Sequence, residues 1–355
     1  PINASSFTAE DVSISAGACT PSVDVTPVAP YDNTKFDIIV SGLSGSCTVN
    51  ASIPVDTVQN PEGTFFNAST STDNQVVFDG AVPEVTINQA ADQADPTNTS
   101  PVYFTAVFSK PINPGTFTAD DVTLSGEVGG LVTGITQIAP NDNTTLRIEV
   151  GNLTGEGFLT ASILAGVVSD SIGNLNTTAT TTDNMITLDT TAPTVIISST
   201  VLDYSRYSPV DFIFTFSEAV TGFDAADITV VNGSATALSG SGTVYTASIT
   251  PSTEGVVEVQ LAAGMAADAA GNGNTVAVPE SFIYDITRPS VTVNEASDQA
   301  DPTNIGPIYF TAVFSEPVDY PEIGPDITVS DTTGAYVTDV SEAAPNDGTV
   351  YTITV

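Results

Sequence analysis

The chain has 355 residues, of which 42 are acidic and 5 are basic, giving a formal net charge of −37. Nucleic acids and anionic membranes are bound through Lys and Arg, so this composition excludes nucleic acid as a partner and disfavours anionic membrane surfaces. Histidine is absent, which removes both the usual acid–base group at neutral pH and any serine triad, and we do not expect an enzyme. No run of 18 apolar residues occurs, so no membrane insertion is expected.

The sequence repeats itself. The segment PINASSFTAEDVSI at residue 1 aligns with PINPGTFTADDVTL at 111, and STDNQVVFDG at 71 aligns with TTDNMITLDT at 181, so the offset is 110 at both places. PVYFTAVFSKPI at 101 returns as PIYFTAVFSEPV at 307. Such self-similarity predicts an array of like modules, the first lacking its initial strands and the last lacking its final strands. The predicted modules are 1–80, 81–190, 191–286 and 287–355.

The first module contains both cysteines of the chain, Cys19 and Cys47. They form no C-x-x-C motif, and no second pair exists that would complete a zinc site. A disulfide and two free thiols are both compatible with the spacing, and the extracellular character of the rest of the sequence favours the disulfide.

Within each module apolar and polar residues alternate with period two, as in DFIFTFSEAV, VYTASIT and VVEVQLAA. Turn residues separate these segments, and no segment shows a sustained helical stripe. About seven short strands in roughly 100 residues describe an immunoglobulin-like sandwich. The predicted fold is therefore all-β: tandem immunoglobulin-like β-sandwich modules that short linkers hold end to end as a rod.

Three segments of the third module resemble the bacterial Ig-like repeats of large secreted adhesins and other surface proteins: DTTAPTVIISS, FTFSEAVTGFDAADITVVNG and DAAGNGN. The resemblance is closest over 189–286 and covers the other modules in weaker form. It implies tandem spacers outside the cell or on its surface, with calcium between modules. The implied partners are neighbouring modules or copies of the same chain, and a cell-surface or matrix ligand bound through other parts of the protein.

Calcium binds six to eight oxygen atoms from carboxylates, amides and main-chain carbonyls. In a sandwich of this type, two loops and the incoming linker share one end of the module. The linker and loops of the third module offer six candidate ligands: Asp189, Glu218, Asp227, Asp268, Asn272 and Asn274. Asp and Asn are also ordinary turn formers, so a purely local role is the alternative for each.

Equivalent positions in the neighbouring modules extend this prediction. The candidates there are Asp79, Asp121, Asp170 and Asn174 in the second module, and Asp285, Glu316 and Asp326 in the fourth. The second module has Lys110 where the third has Glu218. Because a charged lysine cannot coordinate a cation, we expect its ammonium to act where the neighbouring junctions use metal.

An acidic loop occurs twice, as ADQADPTN at 91 and SDQADPTN at 297. Its acids, Asp92, Asp95, Asp298 and Asp301, are expected at the opposite end of their modules, either as a second calcium contact or in a turn with proline at its corner.

These features predict an extracellular or cell-surface stalk that calcium stiffens at its module junctions. The alternative is a polymerising subunit of a surface filament or layer, whose partial end modules are completed by strands from neighbouring chains. A ligand-binding adhesin tip is the third possibility, disfavoured because no module carries a non-repeated insertion.

Overall fold

Alternating sequence patterns produce strands throughout the computed structural model, which describes residues 1–318, 327–330 and 334–355. The fold is all-β, as predicted, with several sheets consistent with Ig-like sandwiches. The helices of the described chain are single 3-10 turns: Ala4–Ser6, Ala9–Asp11, Pro114–Thr116, Ala119–Asp121 and Ala225–Asp227. None of the described helices has the length and apolar character needed to cross a membrane.

The chain forms two compact units. The first comprises Pro1–Thr194, Phe216–Phe223 and Ala263–Val276. The second comprises Val195–Thr215, Asp224–Ala262 and Ala277–Val355.

The first 80 residues, in the first unit, hold five strands in two sheets, ordered β1-β4-β5 and β2-β3. The strands are β1 (Ser13–Ser15), β2 (Ser22–Pro27), β3 (Phe36–Ser41), β4 (Ser46–Ser52) and β5 (Gln75–Asp79). Cys19 and Cys47 form a disulfide, with their Cα atoms 6.2 Å apart. Cys19 is buried with Ala16 and Val49, so the bond lies within a small apolar cluster.

Residues 81–190, also in the first unit, form a seven-stranded antiparallel sandwich with sheet orders β6-β7-β10-β9 and β12-β11-β8. The strands are β6 (Val85–Gln89), β7 (Val102–Phe108), β8 (Val122–Gly126), β9 (Gly129–Gln137), β10 (Thr145–Thr154), β11 (Gly157–Ile163) and β12 (Met185–Leu188). Phe104 on β7 lies opposite Ile148 on β10, and both are fully buried. The inward-facing residues of the two sheets meet in one core.

A related pattern follows, with β13-β15-β17 in one sheet and β14-β19-β18-β16 in the other, where β14 pairs parallel to β19. The strands are β13 (Val195–Ser199), β14 (Tyr204–Ser205), β15 (Val210–Val220), β16 (Ile228–Val231), β17 (Gly233–Pro251), β18 (Gly255–Leu261) and β19 (Glu280–Tyr284). Within the second unit, the rings of Phe212 and Phe282 lie 5.9 Å apart and join the two sheets.

The last segment of the second unit forms one sheet of order β20-β21-β23-β22. Its strands are β20 (Val291–Glu295), β21 (Tyr309–Phe314), β22 (Asp339–Glu342) and β23 (Val350–Thr354). Tyr351 is buried against Phe314, with ring centroids 5.9 Å apart. The module boundaries and the end-to-end rod remain predictions.

The alternation on β7 gives a direct test of the core. Phe104 has no exposed surface, whereas Val107 on the same strand is 43% exposed. We expect Phe104→Ala to destabilise its sandwich by about 3–5 kcal/mol, since it removes buried surface and leaves a cavity. Val107→Ala, the matched control, should have little effect. Differential scanning calorimetry would separate the transitions, and equal shifts for both variants would contradict this strand register.

Candidate metal centre

Three carboxylates meet in the first unit: those of Asp189, Glu218 and Asp268. One oxygen from each lies within 4.8 Å of the others. Asp268 is buried, and the other two side chains are half-buried. The sequence predicted all three as ligands of one site, and the structure brings them together.

Each member of this cluster is held by a different part of the chain. Asp189 follows β12, and its Oδ1 accepts a hydrogen bond from the main-chain N–H of Thr191 at 3.0 Å. Glu218 lies near the end of β15. Just beyond that strand, Thr221 and Ala267 exchange two main-chain hydrogen bonds of 2.8 and 3.0 Å, which place the Asp268 loop beside it.

Asn272 connects the loop to the linker. Its Nδ2 donates to the main-chain oxygen of Asp189 and to Oδ2 of Asp268, both at 2.9 Å. Its own N–H donates to Oδ1 of Asp268 at 2.8 Å. The side-chain oxygen of Asn272 accepts from Nδ2 of Asn98 at 3.1 Å. Asn272 therefore orients the carboxylate of Asp268 and holds the main chain of Asp189 beside it.

The electrostatics of the cluster favour a cation. Burial raises the pKa of Glu218, and the charges of Asp268 and Asp189 raise it further. Burial also acts to raise the pKa of Asp268, but hydrogen bonds from Asn272 and the loop N–H groups outweigh it and lower that pKa. Two like charges 4 Å apart repel by about 4 kcal/mol at an effective dielectric constant of 20. A cation among the carboxylates would relieve this repulsion.

The donor set fits a hard cation. All three groups supply carboxylate oxygens, the ligands that calcium prefers. Three carboxylates supply at most six oxygens, so main-chain carbonyls or water would complete a shell of six to eight. The arrangement can hold a metal, and it contains no nucleophile–base pair that would suggest catalysis.

A second cluster with the same frame lies in the second module. Asp79 takes the place of Asp189, and Asp170 takes the place of Asp268. Here the ammonium of Lys110 lies 2.7 Å from Asp79 Oδ2 and 2.8 Å from Asp170 Oδ2. It also donates to the main-chain oxygen of Ala81 at 3.0 Å. The predicted role of Lys110 as the local cation is confirmed.

The loop asparagine of this second cluster repeats the contacts of Asn272. Nδ2 of Asn174 donates to the main-chain oxygen of Asp79 at 3.0 Å and to Asp170 Oδ2 at 2.9 Å. In the first module Asn60 takes the place of the aspartate Asp170. Its Oδ1 accepts from the N–H groups of Glu62 and Thr64 at 3.1 and 2.8 Å, as Asp170 Oδ1 accepts from those of Ile172 and Asn174. The loop fold is therefore common to the first three modules.

Other predicted ligands have local partners instead. Asp121 and Asp227 each accept a hydrogen bond of 2.7 Å from the main-chain N–H three residues earlier, capping a 3-10 turn. Asn274 is buried, and its oxygen accepts from the N–H of Ala266 at 2.8 Å. Each of these three residues therefore has the local hydrogen bond that the turn-forming alternative describes.

The acids of the repeated loop at 91 also have partners within the protein. Both oxygens of Asp92 contact Nη1 of Arg147, at 2.9 and 3.0 Å. Asp95 Oδ1 accepts from the N–H of Thr187 at 2.8 Å. Both acids therefore have protein partners in this structure, and their role as calcium ligands stays a prediction. The contact that recurs in the two loops is made by glutamine: Gln93 and Gln299 accept from the N–H groups of Tyr103 and Tyr309 at 2.9 and 3.0 Å.

The remaining candidates lie in the fourth module. Asp298 and Asp301 are exposed. Asp285 Oδ1 accepts from the N–H of Thr287 at 2.9 Å, repeating the turn at Asp189. Asp285 and Glu316 line one cavity of the second unit together with Arg206. Asp326 lies outside the described residues.

The sequence analysis did not identify two residues that contact a linker, Glu156 and Glu254. Each occupies a turn between two strands and accepts hydrogen bonds from a linker. Glu156 binds the hydroxyl of Thr191 at 2.8 and 2.9 Å, and Glu254 binds that of Thr287 at the same two distances. These hydrogen bonds lower the pKa of both glutamates. Both turns contain the dipeptide Glu-Gly, at 156 and at 254, and this repetition is the sequence feature that could have identified the two glutamates.

The ion pair of Lys110 can be tested by removing its charge. Asp170 is only 2% exposed, so Lys110→Met leaves a buried carboxylate unpaired. Breaking a fully buried pair costs roughly 3–5 kcal/mol, and we expect about 2 kcal/mol here because Lys110 is partly exposed. Asp92→Asn, which breaks an exposed ion pair, is the control and should change stability little. Equal calorimetric shifts for the two variants would exclude a structural role for Lys110.

The same pair predicts a pH dependence. Burial acts to raise the pKa of Asp170, but hydrogen bonds from Lys110 and Asn174 outweigh it and hold that pKa below its ordinary value. Stabilisation by ionised Asp170 is therefore complete above about pH 4 and is lost as the pH falls through the lowered pKa. Wild type should lose more stability than Asp170→Asn as the pH falls from about 4 to 2. Parallel denaturation curves for the two proteins over this range would contradict the assignment.

Comparison with known proteins identifies a family that the third module resembles. Residues 189–283 match the family of bacterial Ig-like domains. No curated protein matches the chain. The crystal structure of the N-terminal part of the bacterial S-layer protein SbsC matches 58% of this chain and 44% of that chain, with 15% sequence identity and a TM-score of 0.23. This chain therefore spans less than half of that structure, and a likeness at this TM-score supports no inference about fold or function. The family match confirms the resemblance predicted from the sequence: residues 189–283 are similar to bacterial Ig-like domains, and this segment contains all three carboxylates of the cluster.

Proposed function

We propose that the chain is part of an extracellular structural stalk of Ig-like repeats in a surface adhesin, and that calcium stiffens its module junctions. The observation that carries the proposal is the cluster of Asp189, Glu218 and Asp268. Asp189 belongs to the linker that enters the third module, whereas Glu218 and Asp268 belong to the module itself. A cation bound by all three would tie the linker to the module that follows it.

Three features support a location outside the cell. The third module matches bacterial Ig-like domains. Cys19 and Cys47 form a disulfide, a bond that persists in oxidising compartments. The net charge of −37 keeps such a chain soluble and disfavours contact with anionic polymers. The proposed role is mechanical and involves no catalysis.

Calcium would act by mass action. A ligand that binds only the folded, ordered junction stabilises it by about 2.7 kcal/mol when its free concentration is 100-fold above Kd. The linker is already held by Asn272 and by Glu156. Calcium would add the contact that removes the repulsion among the three carboxylates. Without calcium, that repulsion would favour separation of Asp189 from the module.

A polymerising subunit of a surface filament or layer is the second candidate. In the first module β3 pairs with β2, and no described strand covers its other edge. The equivalent strand β10 has β7 on that side. The apolar residues Ile38, Val40 and Val49 line a groove beside this edge. A strand from a neighbouring chain could pair there, and light scattering over a range of protein concentrations would detect the resulting assembly.

The calcium proposal predicts a change in both stability and length. We expect millimolar calcium, relative to EDTA, to raise one calorimetric transition by several degrees, because about 1 kcal/mol moves the midpoint of a domain of about 100 residues by roughly 4–8 °C. Small-angle scattering should show a longer maximum dimension with calcium, as the junction straightens. Unchanged midpoints and dimensions would eliminate the calcium-stiffened stalk.

Glu218→Gln and Asp268→Asn should abolish the calcium-induced shift, since each removes one carboxylate of the cluster. Asp120→Asn is the matched control: this acid is exposed and outside the cluster. The control must keep the full calcium response. If Asp120→Asn loses the response to the same extent, calcium acts by screening the general negative charge.

A further inference from the structure

The two clusters share one frame built from three equivalent positions: Asp79 and Asp189 in the linkers, Asp170 and Asp268 in the loops, and Asn174 and Asn272 beside them. Each loop asparagine donates to its linker carbonyl at 3.0 or 2.9 Å and to its loop aspartate at 2.9 Å. These contacts are the same whether the remaining position holds Lys110 or Glu218. The frame is therefore independent of the group placed inside it.

The charge of the frame depends on that one remaining position. With all groups ionised, Asp79, Asp170 and Lys110 sum to −1, whereas Asp189, Glu218 and Asp268 sum to −3. The difference of two charges arises entirely from Lys110 against Glu218. A divalent cation in the second site restores the sum to −1, the value that the lysine site already has.

We propose that the residue at position 110 or 218 selects the cation of its junction. Lys110 supplies the positive charge at the Asp79 junction, which is therefore insensitive to calcium. Glu218 adds a negative charge at the Asp189 junction, which therefore depends on calcium. The calcium part of this inference rests on the proposed function. The chain then contains one junction whose charge is balanced without calcium and one junction that calcium regulates.

The contacts of Lys110 also indicate a further ligand. Its ammonium donates to the main-chain oxygen of Ala81 as well as to the two carboxylates. Thr191 follows Asp189 by two residues, as Ala81 follows Asp79. We therefore assign the main-chain carbonyl of Thr191 as a fourth ligand, beside the three carboxylates, of the calcium ion proposed at the Asp189 cluster.

The test is a reciprocal exchange in the full chain. Calcium binding is measured by titration calorimetry in about 150 mM salt, where the Debye length of about 8 Å suppresses weak surface binding. Wild type should bind one calcium ion at the Asp189 cluster, and Glu218→Lys should bind none there. Lys110→Glu, kept folded in calcium, should bind one ion more than wild type. Retention of the site by Glu218→Lys, or no gain by Lys110→Glu, overturns the inference and leaves the proposed function intact.

A second measurement covers the case in which wild type binds no calcium. Unfolding in EDTA compares Glu218→Lys with Glu218→Gln, which relieves repulsion without supplying a cation. A higher midpoint for Glu218→Lys than for Glu218→Gln supports selection of a cation by this position, even if the proposed calcium role fails. Equal midpoints for these two variants overturn the inference.

Discussion

Repulsion between carboxylates at the linkers of the second and third modules is the constraint on which these two junctions depend. The frame brings a linker aspartate and a buried loop aspartate together through the amide of one asparagine. Neither aspartate can leave without breaking main-chain contacts, so the negative charge has to be balanced in place. At Asp79 and Asp170 the protein supplies the balancing charge itself through Lys110. At Asp189 the equivalent side chain is another acid, Glu218, and the two aspartates together with burial raise its pKa.

Repetition made the core of this site predictable from sequence. A single copy of DAAGNGN gives no way to separate a ligand from a turn former, because Asp and Asn serve both purposes. The offset of 110 between Asp79 and Asp189, together with the lysine at 110 in place of an acid, showed which positions belong to one constellation. The alternation of apolar residues likewise predicted the all-β fold, since burial on β7 follows period two from Val102 to Phe108.

Residue type alone does not show which protein donors a carboxylate contacts. Asp121 and Asp227 lie three residues from an N–H that their side chains reach. Asp92 lies 55 positions from Arg147 in the sequence, a distance that local reasoning cannot bridge. Glu156 was missed for the same reason. It lies in a hairpin turn, where an exposed acid ordinarily needs no explanation, and its linker partners Thr190 and Thr191 become visible only in three dimensions.

The hydrogen bond between Asn98 and Asn272 has a consequence for glycosylation. Asn98 begins the triplet Asn-Thr-Ser, an acceptor sequence for N-linked sugar in hosts that carry out this reaction. The sugar would be attached to Nδ2, the atom that donates to Asn272 at 3.1 Å. Asn272 in turn orients Asp268 and the carbonyl of Asp189. A glycan at this position would replace one of the two Nδ2 hydrogens, so that only the remaining hydrogen could be donated to Asn272.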